Sequence, residues 1–132
     1  MISKSIFTRI INRELPSQIV CENEDNIAFL DINPLKKGHT LIVPKIEVDN
    51  IFDLNDSAYN SLFSFAKKVA INMKKKIHCN RIGVSVVGLD VPHAHIHLIP
   101  INSFDDMNFN KSPLKLTDDE MYNICELLKF TP

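Results

Sequence analysis

The 132 residues predict an α+β fold, a five-stranded antiparallel sheet with two main helices. Two observations carry this. Short β-branched or aromatic segments occur in runs, joined by connections too short for a parallel crossover. Two longer stretches repeat apolar residues at helical spacing, enough to cover a sheet face. The helices are accordingly expected on one face of the sheet.

Taken in order, residues 5–12 form a short amphipathic turn or helix carrying Ile6, Phe7, Ile10 and Ile11. Strands are expected over 18–21 and 27–31, separated by a charged turn, and over 39–43, where Pro44 ends the run. From 55 to 77, Ala58, Leu62, Phe65, Ala66, Val69 and Met73 recur every three or four residues, predicting one long amphipathic helix. Its final Lys74, Lys75 and Lys76 complement the helix dipole and read as a solvated end, not a nucleic-acid patch. Strands follow over 81–87 and 94–101. A polar surface loop spans 102–116. Thr117 and Glu120, at capping-box spacing, open a helix over 117–130.

This length suits one domain, taken as residues 1–132, that can build a real core. Apolar residues at 45% and charged residues at 23% exclude disordered, collagenous and coiled-coil classes. Fifteen basic against sixteen acidic side chains leave no field to recruit nucleic acid or an anionic membrane. Cys21, Cys79 and Cys125 are odd in number and lack metal-ligand spacing, so they read as small buried residues in a reducing compartment. The N-terminal charges Lys4, Arg9 and Arg13 interrupt any secretory pattern, and no window is apolar enough to span a bilayer. A cytoplasmic protein is expected.

The chemistry concentrates in Val91-Pro92-His93-Ala94-His95-Ile96-His97-Leu98-Ile99-Pro100. Side chains alternate faces along a strand, so His93, His95 and His97 point one way while Ala94, Ile96 and Leu98 point to the core. No single helix stands out as a cover for the imidazoles. Three of the five histidines fall within five residues, which singles the segment out. All three cannot easily share one metal ion. The Cβ atoms of His93 and His97 lie ~13 Å apart on an extended strand, and two imidazoles reaching a common zinc span only ~11 Å. A pair of them with a distant ligand stays open. Otherwise a neutral imidazole is a good nucleophile near neutral pH, and flanking imidazoles can supply donors to phosphate oxygens and a leaving group.

The stretch His93-Ala94-His95-Ile96-His97 resembles the signature of the histidine-triad (HIT) family. Residues 28–45 are similar to the family's nucleotide-side segment, and Ile6-Phe7 through Leu15-Pro16-Ser17 agree with a third, so the likeness covers about residues 5–101. The resemblance implies a homodimer and hydrolysis or transfer at the α-phosphorus of adenosine-like nucleoside monophosphate derivatives, phosphoramidates or dinucleoside polyphosphates. It makes His95 the nucleophile of a nucleotidyl-histidine intermediate. His97 then contacts the α-phosphate and the leaving group, and His93 and His39 belong to the supporting hydrogen bonds. Asp31 takes the ribose hydroxyls, while Ile6, Phe7, Ile10, Phe29, Ile32 and Leu41 form the slot for the base.

The chain also departs from the family. Where many bacterial members carry a zinc-binding Cys-x-x-Cys and a further histidine, the matching positions are Ser5, Thr8 and Glu47, so no structural zinc and no other cofactor is expected. The phosphate loop is shortened to residues 83–90. Ser85 stands near the position of the family's amide and Asp90 near that of a small hydroxyl, with Gly88 offering close backbone approach. A carboxylate beside a phosphate is repulsive, which disfavours polyphosphate substrates. Two other functions remain in view: a nucleotide-binding or sensing module with little turnover, and a metal protein using His93 and His95. Neither a membrane nor a nucleic-acid partner is expected.

Overall fold

The computed structural model describes residues 4–132. Five strands, β1 (Ile19–Glu22), β2 (Asn26–Leu30), β3 (Thr40–Pro44), β4 (Arg81–Ser85) and β5 (Ile96–Ile101), form one sheet in the order β1-β2-β3-β5-β4. Every neighbouring pair is antiparallel, as the short connections require. Three α-helices accompany it: α1 (Ile6–Ile11), α2 (Asp56–Lys76) and α3 (Asp118–Leu128). Short 3-10 turns occupy Ile51–Asp53 and Phe104–Met107.

The helix ends follow from their caps. Ser5, Asn55 and Thr117 each accept a backbone N–H of the first turn, and Glu120 returns the bond to complete a capping box. Three lysines close α2, where the dipole favours cations.

Helices cover both faces of the sheet, not one as expected. On one face, Ala28, Leu30, Ile42, Ile96 and Leu98 pack against Leu62, Phe65, Val69 and Met73 of α2 and against Cys125 and Leu128 of α3. On the other, Ile27, Phe29, Leu41 and Val43 pack against Phe7 and Ile10 of α1. This two-sided burial explains why every residue of β2 and β3 is buried, so that those strands read as continuous apolar runs. The three cysteines are buried and unpaired, and burial pushes the Cys21 thiol up to about 12.

Strand boundaries differ from expectation at the site. β4 ends at Ser85 instead of residue 87, and β5 starts at Ile96, so His93 and His95 precede the ladder. The alternation of faces persists there, with Ala94 in the core beside Ile96 and Leu98 while His93 and His95 face Phe7. Among the described residues, no helix is long and apolar enough to cross a membrane.

Gly38 leads into His39 and β3 with φ +93°, where a side chain is strained, and a Cβ there would lie 2.5 Å from Ile77 Cδ1. Replacing it (Gly38→Ala) is expected to cost about 1–3 kcal/mol of stability, measured as a lowered urea midpoint with unchanged slope.

Candidate active site

Four imidazoles gather between β3, β5 and α1. His93 and His95 lie 0% and 1% exposed, and His39 and His97 are 2% and 5% exposed. Contrary to expectation, the imidazoles are covered. Phe7 of α1 stands edge-on to His95 with ring centroids 5.0 Å apart, and Phe109 from the polar loop packs 4.9 Å from His97.

Hydrogen bonds to backbone groups fix which nitrogen of each ring carries its proton. The Leu35 N–H donates to His39 Nδ1 at 3.0 Å, so the neutral His39 ring is protonated at Nε2. That Nε2–H donates to His97 Nδ1 at 2.9 Å, leaving the neutral His97 with an N–H at Nε2. The relay runs the other way at His95. Its Nδ1 lies 2.7 Å from the His93 carbonyl, which can only accept, so Nδ1 is protonated and Nε2 holds the lone pair. His93 Nε2 donates to the Pro44 carbonyl at 2.8 Å, and its Nδ1 accepts from the Ser5 hydroxyl at 2.7 Å. Neighbouring rings thus present opposite functions, a bare nitrogen on His95 and an N–H on His97.

Both rings line a cavity of about 310 Å³ that also takes in Phe7, Ile10, Phe29 and Leu41. This is at the small end of ligand pockets, which run to about 300–1,000 Å³. Ile6 and Ile32 sit at its rim, 54% and 78% exposed. Asp31 reaches the same cavity. Its Oδ1 accepts from the Asn33 N–H at 2.8 Å, and its Oδ2 lies 3.5 Å from His39 Nε2. Burial pushes the Asp31 carboxyl upward, against the pull of that N–H. Asp90 is exposed at the cavity edge, with Oδ1 3.7 Å from His95 Nε2. Ser85 opposes His97 in the β4–β5 ladder but lines neither of the cavities bordered by His95. Gly88 lines the second of these, not the slot.

The positions matching the family's zinc ligands form a hydrogen-bonded clamp. Glu47 Oε1 accepts from the Ser5 N–H at 2.7 Å and from the Thr8 hydroxyl at 2.6 Å, while Ser5 Oγ accepts the Thr8 N–H and serves His93. This set offers no thiolate, and the His93 nitrogens are committed to Ser5 and Pro44, so it does not fit zinc. A metal shared by His93 and His95 would likewise have to displace Ser5 or Pro44 from the His93 ring. Asp31, His39 and His97 do bring donor atoms within 4.8 Å of one another. Two nitrogens on one tetrahedral zinc stand about 3.3 Å apart and both need lone pairs. Here they are 2.9 Å apart, and the bond from Leu35 puts a proton on His39 Nε2.

A HIT domain family model matches residues 12–104. The chain belongs to the HIT family. It is 36% identical over 80% of its length to a HIT-like protein of Borreliella burgdorferi, covering 81% of that protein. It is 35% identical over 72% of its length to the adenosine 5'-monophosphoramidase of Saccharomyces cerevisiae, covering 61% of it. A HIT-like protein of Bartonella henselae has the same fold, with a TM-score of 0.82 and 27% identity over 96% of this chain and 95% of that one.

Within this HIT fold, Phe109 carries no signal in the sequence, and the family pattern groups Ser5, Thr8 and Glu47 without indicating that they bond to one another. Phe109 is a lone aromatic in a polar loop, and the clamp joins groups 39 to 88 residues apart. Burial pushes His39 and His97 down to about 4 each, with the neighbouring imidazoles adding to the shift and Asp31 and Asp90 opposing it at His97. Unfolded histidines titrate near about 6.5. Between these values the unfolded chain binds protons that the native rings refuse, so stability falls as pH drops from about 6.5 toward 4. Urea denaturation at pH 7.0, 6.0 and 5.0, above the ordinary carboxylate range, is expected to show that decline. A flat or rising profile contradicts it.

Proposed function

We propose that this HIT protein hydrolyses adenosine-like nucleoside 5'-monophosphate derivatives at the α-phosphorus, with His95 as nucleophile. The observation that carries the reading is the pair of opposite tautomers set by Leu35 and by the His93 carbonyl. The base enters the apolar slot of Phe7, Ile10, Phe29 and Leu41, with Ile6 and Ile32 at its mouth, and the ribose hydroxyls donate to Asp31. The α-phosphate then lies before His95 Nε2, and the His97 Nε2–H donates to a non-bridging oxygen.

For a phosphoramidate, the scissile nitrogen first takes one further proton from solvent, so that it can depart as a neutral amine. The His95 lone pair forms an N–P bond, and the P–N bond to the leaving group breaks with its electrons, releasing a neutral amine. The nucleotidyl-His95 ring keeps its Nδ1–H, whose new positive charge is held by the His93 carbonyl. Water next attacks phosphorus and gives its proton to solvent, and the electron pair of the His95–P bond returns to Nε2. His39 has no contact with substrate in this scheme and acts by holding the His97 ring.

Mass spectrometry of acid-quenched reactions with adenosine 5'-phosphoramidate is expected to find one nucleotidyl group on the peptide carrying His95. His95→Ala is expected to lower kcat by at least about 10³-fold. Undiminished turnover in that variant removes the mechanism. Tight nucleotide binding by the unmodified protein without product favours a sensing module.

We further propose a homodimer formed through β4. It is an edge strand, with Val84 56% exposed. An apolar groove of about 480 Å³ between it and α2 is lined by Phe63, Ala66, Ala70 and Ile71. An open edge beside apolar surface is what a two-fold copy can pair. Light scattering on the eluting protein is expected to give twice 15.1 kDa, and Val84→Asp to give the monomer. A monomeric parent protein refutes the pairing.

A further inference from the structure

Phe109 packs on two of the four imidazoles yet borders neither of the cavities at His95. Its ring lies 4.9 Å from the His97 ring at 71° and 6.5 Å from the His39 ring at 78°. Edge-to-face contacts of this kind hold aromatic planes in a defined relation as well as burying them. A side chain placed against these rings, outside the space for substrate, acts through the rings.

The strap that carries Phe109, residues 102–114, is tied down at both ends. Asp106 Oδ2 accepts the Asn102 and Ser103 N–H groups at 2.7 and 3.1 Å, and its Oδ1 lies 3.4 Å from Lys36 Nζ. The Leu114 N–H donates to the Pro34 carbonyl at 2.8 Å. Between these ties Asn108 turns the chain, its Oδ1 accepting the Asn110 N–H and its carbonyl the Lys111 N–H. A Cβ on Gly83 would stand 2.8 Å from Met107 Sδ, so β4 leaves room for the strap. Pro34 and Lys36 flank Leu35, whose N–H sets the His39 ring. The strap is therefore fastened to the turn where the tautomer relay begins.

That relay has competitors. The His39 Nε2–H reaches His97 Nδ1 at 2.9 Å, but Asp31 Oδ2 lies only 3.5 Å from the same Nε2. Water at this bond could also donate to His97 Nδ1 or accept from His39, and either would loosen control of the His97 tautomer. Excluding water removes one rival and strengthens the bond in a lower dielectric.

We propose that Phe109 is a positioning residue, an apolar shield that keeps the His39–His97 hydrogen bond dry and the His39 proton directed at His97. Its effect on rate rests on the hydrolytic reading above, in which the His97 Nε2–H serves the phosphate.

Phe109 is 40% exposed, so shortening it removes little of the core. The imidazole nitrogens are observed by long-range ¹H–¹⁵N NMR on the protein without nucleotide. The parent protein is expected to show His39 and His97 as single Nε2–H tautomers. In Phe109→Ala the His97 nitrogen shifts are expected to move toward a tautomer average. The His39 N–H is expected to exchange at least about fivefold faster, the size of one weakened hydrogen bond. With adenosine 5'-phosphoramidate, kcat is expected to fall about 10–100-fold while KM stays within about twofold. Phe109→Leu keeps an apolar group against the rings and is expected to recover kcat and exchange protection to within about threefold of the parent. Unchanged tautomers and exchange in Phe109→Ala overturn the assignment, as does an equal loss in Phe109→Leu. A disturbed relay with unchanged kcat, or a parent protein without turnover, overturns the hydrolytic reading, and the NMR comparison then decides the role of Phe109 by itself.

Discussion

An imidazole that is neutral offers one N–H and one lone pair, and which edge holds which is decided in this protein by main-chain groups. The Leu35 amide can only donate and the His93 carbonyl can only accept. Between them they give His97 an N–H and His95 a lone pair at the same cavity. Burial then holds His39 and His97 neutral well below neutral pH, so the arrangement does not depend on a proton being present or absent in the working range. Backbone geometry thus does what a freely rotating surface histidine could not.

That arrangement needs a cover, and α1 supplies it. The helix is six residues long, too short to persist alone, so its position depends on contacts beyond its own hydrogen bonds. Phe7 and Ile10 anchor it in the second core, and the carboxylate of Glu47 takes hydrogen bonds from both Ser5 and Thr8. Since Ser5 also donates to His93, the residue that caps the helix also settles the ring next to His95. A cluster of neutral and acidic groups replaces the metal site suggested by the family pattern, and it couples the wall of the slot to the base of the triad.

The lining of the site is acidic and otherwise largely apolar. Carboxylates border both cavities and, among the described residues, no lysine or arginine does. On the proposed reading the donor to a phosphate is the Nε2–H of a neutral His97, which carries no full charge.

The sequence by itself determined the sheet, the two long helices and the identity of the triad. Period-two alternation commits Ala94, Ile96 and Leu98 to the core, and the histidines between them must then share the opposite face. Apolar repeats of three and four residues place α2 and α3 in the same local way. Only the tertiary structure decided that α1 crosses to the far face and buries those rings, that Phe109 packs on His97, and that Ser85 lies outside both cavities. It alone decided the tautomers too, since Leu35, His39 and His97 meet through a loop and a strand pairing that no local period encodes. Local patterns determine which way a side chain faces, whereas what it meets there depends on chain segments far away in sequence.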